Sequence, residues 1–316
     1  MALRLRPLVT GIATYVPGVN NLFSRRTGGS DSARYCYSVW LRHLVMARAH
    51  ALPTQPAVVA ELGPGDSLGV GLAALLSGSE KYYAFDVVRY ARNDRDLAIF
   101  DELVALFRAR APIPGPDEFP LITPLLDNYA FPQDILTENR LALALAPERV
   151  AAIRAELAGE AADGGGWITY QAPWDLADIV QEGTVDMVLS QTVMEYPLDL
   201  HAAYGTLHRW LKPGGVMSHQ IDFRCMGTAR KWNGHWACSD LAWALVTGKR
   251  RYPVANREPH STHVRLMEEQ GFRVVGDVPI RGEGGLPREA LAQRFRNLTD
   301  DDLTTSIALI QAVKEA

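Results

Sequence analysis

Ala57-Val58-Val59-Ala60-Glu61-Leu62 is a short run of small or β-favouring apolar residues with one acid in it, and Gly63-Pro64-Gly65-Asp66-Ser67 breaks it. Gly69-Val70-Gly71-Leu72-Ala73-Ala74-Leu75-Leu76 then has the length and spacing of a helix start. Strand, tight turn and helix in immediate succession are the opening unit of a doubly wound α/β sheet. Glycine at 63 and 65 gives the backbone freedom to reverse after a buried strand and lets a ligand approach the main chain. The helix that follows directs its free N–H groups and positive dipole end back at that space, so a polar or anionic group is expected there.

Spacing discriminates among the ligands that use such a turn. A dinucleotide fingerprint asks for G-x-G-x-x-G, but Leu68 stands where the third glycine belongs and Gly69 comes one position late. A phosphate loop asks for a Lys after its second conserved Gly, and no lysine stands in that frame. Gly65-Asp66-Ser67-Leu68-Gly69 also spells the nucleophile elbow of serine hydrolases, yet little strand pattern precedes it and the chain contains no D-x-x-H. A further possibility pairs an acid two residues before the first glycine, here Glu61, with an acid closing the next strand. Lys81-Tyr82-Tyr83-Ala84-Phe85-Asp86 supplies the second in Asp86.

In these residues the chain resembles the class I, Rossmann-like S-adenosylmethionine-dependent methyltransferases, from about residue 35 onward. The resemblance implies that Glu61, Gly63 and Gly65 form the first cofactor motif and that Asp86 holds the ribose hydroxyls. It also implies an acid and a small residue after the third strand, Trp167 to Tyr170, to bind the adenine amino group. Gln171 stands in the acid's place with Ala172 beside it, and its amide oxygen can accept the same bond. The fourth strand, Val185 to Ser190, runs into Gln191-Thr192-Val193-Met194-Glu195-Tyr196-Pro197. That stretch resembles the family's segment lining the methyl-transfer face, with Ser190 on the cofactor side. Tyr196 replaces the histidine usual after the glutamate, which excludes a histidine base at that point.

Leu211-Lys212-Pro213-Gly214-Gly215 is expected to end a helix over His201 to Leu211 and to turn into a fifth strand, Val216 to Asp222. Phe272 to Ile280 reads as a sixth strand. The tail from Thr304 to Val313 is helical by composition; it is assigned as a strand because the resemblance implies an antiparallel seventh strand between the fifth and sixth. The expectation is therefore one α/β domain over 1–316, doubly wound, with a seven-stranded sheet whose last strand is antiparallel and helices on both faces. Added to it are a helical lead-in over 1–56, its helix starting at Asp31 or Ser32, and two insertions. The first, about 90–164, contains a proline-rich passage from Pro112 to Pro132 and is the expected source of a lid. The second, about 223–260, is dense in Trp232, Asn233, His235, Trp236, Trp243, Asn256, Arg257 and His260, the composition of a polar pocket walled by aromatic rings. This block resembles a bacterial subgroup found beside sugar and surface-glycan pathways.

Composition narrows the function classes. The length and the 47% hydrophobic content suffice for a large core without disulfides or metal. A net charge of −4 argues against a nucleic-acid partner, and Lys249-Arg250-Arg251 reads as a solvated loop. Cys36, Cys225 and Cys238 are odd in number and lack C-x-x-C spacing, which points to a reducing cytoplasm, and no apolar run spans a bilayer.

Methyl transfer to a hydroxyl needs a proton acceptor. His219, Asp222 and His235 are the candidates, as a histidine titrates near neutrality. His219, Asp222, His235, His260 and His263 could instead bind a divalent cation, but none shows tight ligand spacing, so no metal is assigned. The expected activity is O-methylation of a small molecule or glycan with S-adenosyl-L-methionine as cofactor. The rivals are an NAD-dependent short-chain dehydrogenase or epimerase, which needs a Tyr-x-x-x-Lys pair the chain lacks, and a non-catalytic nucleotide-binding module.

Overall fold

The computed structural model describes residues 30–160, 166–174, 179–248 and 255–315, together with Arg4 and Val9. Most of residues 1–29, Asp175 and the Lys249-Arg250-Arg251 run lie outside the described residues. Seven strands form one sheet: β1 (Val58–Leu62), β2 (Lys81–Phe85), β3 (Ile168–Gln171), β4 (Val185–Gln191), β5 (Leu211–Asp222), β6 (Phe272–Arg281) and β7 (Thr305–Lys314). Their order is β3-β2-β1-β4-β5-β7-β6. The first five are mutually parallel, and β7 runs antiparallel to both β5 and β6. This is the sheet that the resemblance implied, including the antiparallel strand at the end of the chain.

Helices cover both faces, as a parallel sheet requires. On one face α1 (Ala33–Ala49), α2 (Gly69–Leu76), α3 (Asn93–Arg108), α4 (Glu138–Ala144) and α5 (Pro147–Ala158) build a core around Trp40, Leu72, Phe100 and Ile153. On the other, α6 (Leu200–Trp210), with α8 (His260–Glu269) beside it, packs Tyr204, Leu207, Trp210 and Met267 against Val188, Met217 and Ile310. Between these two lies a short α7 (Asp240–Thr247), and α9 (Asp300–Thr304) leads into β7.

Ser32 caps α1 by accepting from the Tyr35 N–H. The helix is buried well beyond its apolar stripe, because the proline-rich passage folds over its outer side. Arg42, 2% exposed, donates to the carbonyls of Pro114 and Pro124 and to Ser38 Oγ. Tyr37 donates to Ala111 O at 2.8 Å, Ser38 to Pro114 O at 2.9 Å, and Tyr35 packs edge-on against Phe119. A charge-bearing residue inside the helix thus satisfies carbonyls of a passage too rich in proline to pair them itself.

Two local readings are corrected. The helix before β5 ends at Trp210, and Lys212-Pro213-Gly214-Gly215 does not separate helix from strand. Leu211 already pairs with Val185 and Val216 pairs next with Met187, so the four residues form a bulge within the ladder, with Gly214 at φ +77°. Lys212 Nζ returns 2.8 Å to Asp186 Oδ1, whose other oxygen accepts from the Val58 N–H at 2.7 Å. The aromatic block of the second insertion does not wall a pocket. Trp236 packs with Leu291 and Phe295, and Trp243 with Cys238, Val246 and Ala255, forming two satellite cores. Arg257 binds them together, donating to Cys238 O and Asp240 while its own carbonyl accepts from Trp236 Nε1.

Candidate functional site

Strand order reverses between β1 and β4, and a crevice opens beyond the carboxyl ends of those strands, where α/β sheets bind ligands. It holds a cavity of about 350 Å3. Glu61 to Gly65 at the end of β1 and in the turn beyond it, Asp86 and Val87 after β2, Gln191 at the end of β4 and Thr192, Val193 and Tyr196 beyond it line it, and Tyr35, Trp174, Leu198 and Asp199 belong to the same wall. Gly63 and Gly65 have φ of +65° and +75°, and the Gly63 N–H is tied to Phe85 O at 2.7 Å. A Cβ on Gly63 would stand 2.5 Å from Val193 Cγ2. The glycine therefore keeps the turn open against the wall that faces it.

Glu61 is held from behind. Tyr82 Oη donates to Glu61 Oε2 at 2.5 Å and the Gly71 N–H donates to the same carboxyl. Burial raises its pKa to about 8, with the Tyr82 and Gly71 bonds pulling the other way and Asp86 adding to the rise. At neutral pH Glu61 is thus mainly a neutral acid, so Glu61→Gln should change stability by no more than about 1 kcal/mol, the scale of one uncharged hydrogen bond, at pH 4.5 and below, where the carboxyl is protonated folded and unfolded alike, and should be the more stable of the two at pH 7. Because the folded pKa lies above the unfolded one, wild type loses stability relative to this variant as pH rises from 4.5 to 8 and is level beyond. Urea denaturation of both proteins across that window checks the sign; a difference that does not vary with pH contradicts the assignment.

Asp86 faces the cavity and organises the chain around itself. Its Oδ1 accepts from Val87 N at 2.7 Å and Val88 N at 3.4 Å, and its Oδ2 from Gly65 N at 3.3 Å. Burial raises its pKa to about 6, partly offset by those three amides. The amino end of α2, expected to await an anion, is already served from within. Leu68 N donates to Asp96 Oδ1 at 2.8 Å, Gly69 N to Ser67 Oγ at 3.1 Å and Ser67 N to Ser30 Oγ at 3.2 Å. A pyrophosphate would have to displace a buried carboxylate from the amides it needs. Ser67 Oγ donates to Ser30 O and lies 3.8 Å from Cys36 Sγ. Among the described residues no histidine bonds to it, so the elbow spelling carries no nucleophile geometry.

The other sequence candidates fall elsewhere. Gln171 ends β3 and Ala172 follows it at a cis Ala172–Pro173 bond, and the Gln171 amide donates to Pro173 O at 3.4 Å; neither residue is in the described lining. Ser190 is fully buried and bonded to His219 Nδ1 at 2.8 Å. His219 has no exposed surface, and burial lowers its pKa to about 3. His235 is buried beside Trp236 and Arg257, and burial lowers its pKa to about 3 as well. Asp222 is ion-paired to Arg224 at 2.5 Å. The cavity lining does not include any of these three. Nor do the histidines gather: His263 Nδ1 pairs with Tyr204 Oη and His260 Nε2 with Asp277, and among the described residues no cluster of metal-ligating side chains occurs.

Gln191, Val193, Trp174 and Asp199 are wall residues that had been given no individual role from sequence. The signal for them was their place just beyond a strand end or at the cap of the following helix. Tyr35 of α1 also lines the cavity.

No protein family model matches the chain, and no curated protein matches it. Among solved structures, the chain is similar to an S-adenosylmethionine-dependent methyltransferase from Mesorhizobium loti, with 14% identity over 87% of this chain and 97% of that one and a TM-score of 0.40. It is similar also to a methyltransferase from Methanosarcina mazei, with 11% identity, coverage of 85% and 97%, and a TM-score of 0.44. A third is the geranyl diphosphate C-methyltransferase of Streptomyces coelicolor, with 11% identity, coverage of 87% and 78%, and a TM-score of 0.43.

Proposed function

We propose that the chain is an S-adenosylmethionine-dependent methyltransferase. The observation that carries this reading is the charge of the crevice. Its described lining contains the carboxylates of Asp86 and Asp199, the neutral carboxyl of Glu61 and no Lys, Arg or His, while the helix amides beside it are occupied by Asp96 and Ser67. Such a wall opposes a dinucleotide pyrophosphate and favours a ligand with hydroxyl donors and a positive centre. When bound, the cofactor supplies a methyl group on a sulfonium.

The residues that would hold it are on three strand ends. Asp86 accepts from the ribose hydroxyls, the Gly63 to Gly65 backbone allows close approach, and Val87, Trp174 and Val193 give apolar surface to the base. The acceptor in this proposal is a small molecule or glycan hydroxyl. The proton acceptor moves away from His219 and His235, which the cavity does not reach. Asp199 is the lining carboxylate that stands exposed, accepting from Ala202 N at 2.9 Å as the cap of α6, and is the group placed to receive a proton. A reducing cytoplasmic setting belongs to the same proposal, since Cys36, Cys225 and Cys238 are buried and unpaired. Among the described residues no helix is long and apolar enough to cross a membrane.

Calorimetric titration with S-adenosylhomocysteine and with NAD tests the reading: binding of the first and not the second is expected, and the reverse overturns it. The Asp86 pKa near 6 adds a signature. Only the ionised carboxylate accepts from both ribose hydroxyls, so affinity should be level above about pH 7 and fall about tenfold per unit below about pH 6. In Asp86→Asn that fall should be absent.

A further inference from the structure

The sheet carries a second cavity at its other end. Gln55 ahead of β1, Gly78 and Glu80 ahead of β2, Arg140 and Leu143 of α4 and Arg149 of α5 line a space of about 360 Å3. It lies at the amino ends of strands whose carboxyl ends form the crevice, so the length of β1, roughly 15 Å, separates the two. Its charge is also opposite. The crevice lining has carboxyl groups and no cation, whereas here two guanidiniums stand against one carboxylate, that of Glu80.

Both arginines are held by main-chain carbonyls at and beyond the end of α2. Arg140 Nε donates to Ser77 O at 2.7 Å and its Nη1 to Thr54 O at 3.0 Å. Arg149 donates through Nη2 to Leu75 O at 3.1 Å and to Ser79 O, and its guanidinium lies over Trp167, 4.3 Å from the ring centroid. Those acceptors are all uncharged. Among the described residues neither guanidinium is ion-paired, and no acceptor meets Arg140 Nη2, Arg149 Nη1 or the buried Arg149 Nε. Burial lowers the pKa of both side chains, with Glu80 partly offsetting this for Arg149, so each bears a desolvation cost that a bound anion would relieve. The carbonyl bonds order the two side chains in advance and cover the negative end of α2, which would otherwise oppose an anion. Gly78, at φ +111°, keeps the approach clear, since a Cβ there would stand 3.1 Å from Arg140 Nε.

A planar guanidinium with open donors matches phosphate and carboxylate oxygens. Two of them on one cavity favour phosphate, whose three terminal oxygens can serve both. The volume exceeds what a bare phosphate needs and sits at the small end of sites for small molecules. Glu80 and the Gln55 amide offer acceptors for hydroxyls on the rest of such a ligand. We propose that this cavity is a second ligand site, which takes a small hydroxylated phosphate monoester between Arg140 and Arg149. The proposal does not depend on what the crevice binds.

Calorimetry on the full chain at pH 7.5 tests it, with glucose 6-phosphate, inorganic phosphate and glucose as probes. Both phosphates should bind and glucose should not. Replacing both arginines by leucine also strips donors from the end of α2, so the deciding variants leave them in place. Leu143 is 75% exposed, and Leu143→Glu sets a carboxylate at the rim; it should weaken both phosphates about tenfold or more. Glu80→Gln removes the opposing charge and should tighten inorganic phosphate several-fold. Circular dichroism shows that both variants remain folded. No binding of either phosphate, equal binding of glucose, or affinities indifferent to both variants overturns the proposal.

Discussion

Asp86→Ala should weaken S-adenosylhomocysteine binding by about a hundredfold or more. Two hydroxyl donors on one carboxylate are each worth about 1.5–3 kcal/mol, and about 1.4 kcal/mol is tenfold in affinity. Part of the loss is indirect, because the same carboxylate collects the amides of Gly65, Val87 and Val88 and so shapes the turn on which the ligand rests. Asp86→Asn separates the two contributions: it retains an oxygen for the Val87 amide and loses the charge. A loss several-fold smaller than for alanine is expected. Calorimetry at pH 7.5 reads both variants, with circular dichroism to show that they remain folded. Unchanged affinity in Asp86→Ala would remove the ribose from this position, and with it the assignment of the crevice.

The second large effect is on stability. A methyl added at Gly71 would lie 2.0–2.3 Å from atoms of the Tyr82 ring. That ring has no room to retreat, being fully buried with its hydroxyl bonded to Glu61. Helix α2 would have to lift from β2, a cost of about 3 kcal/mol at the upper end of overpacking. Alanine's helix propensity returns only about 1 kcal/mol, so Gly71→Ala should destabilise the protein by about 2 kcal/mol. At an exposed helix position the same change stabilises. Urea denaturation measures it, and combining Gly71→Ala with Tyr82→Leu should cost less than the sum of the two single changes. An additive pair would mean that ring and helix do not press on each other.

The cofactor turn and Asp86 were legible because their chemistry is local: glycines at positive φ and an acid at a strand end are written in consecutive letters. Glu61 was legible as a wall residue but not as a neutral one, since its state depends on Tyr82 and Gly71, which come from a different strand and helix. Asp96 stands in the first turn of its own helix yet caps α2 across space, a partnership that no run of consecutive residues shows. His219 misled for a different reason. A central strand covered by helices on both faces is buried at every position, and β5 from Val216 to Asp222 is so, which leaves no alternation to separate a residue beside the crevice from one beneath it. Trp236 and Asn233 looked like pocket residues because their partners, Leu291, Phe295 and Leu286, lie some fifty residues onward. No local pattern announces such partners.

The place of β7 has a bearing on how the molecule is made. It is the last strand in chain order, yet it separates β5 from β6 and is the direct neighbour of both. On the ribosome, β5 must therefore wait with one backbone edge unsatisfied until residues 305–314 have emerged, although six of the seven strands are already synthesised. Nascent chains at that point present the unpaired edge of β5, and chaperone capture should peak in that interval of translation.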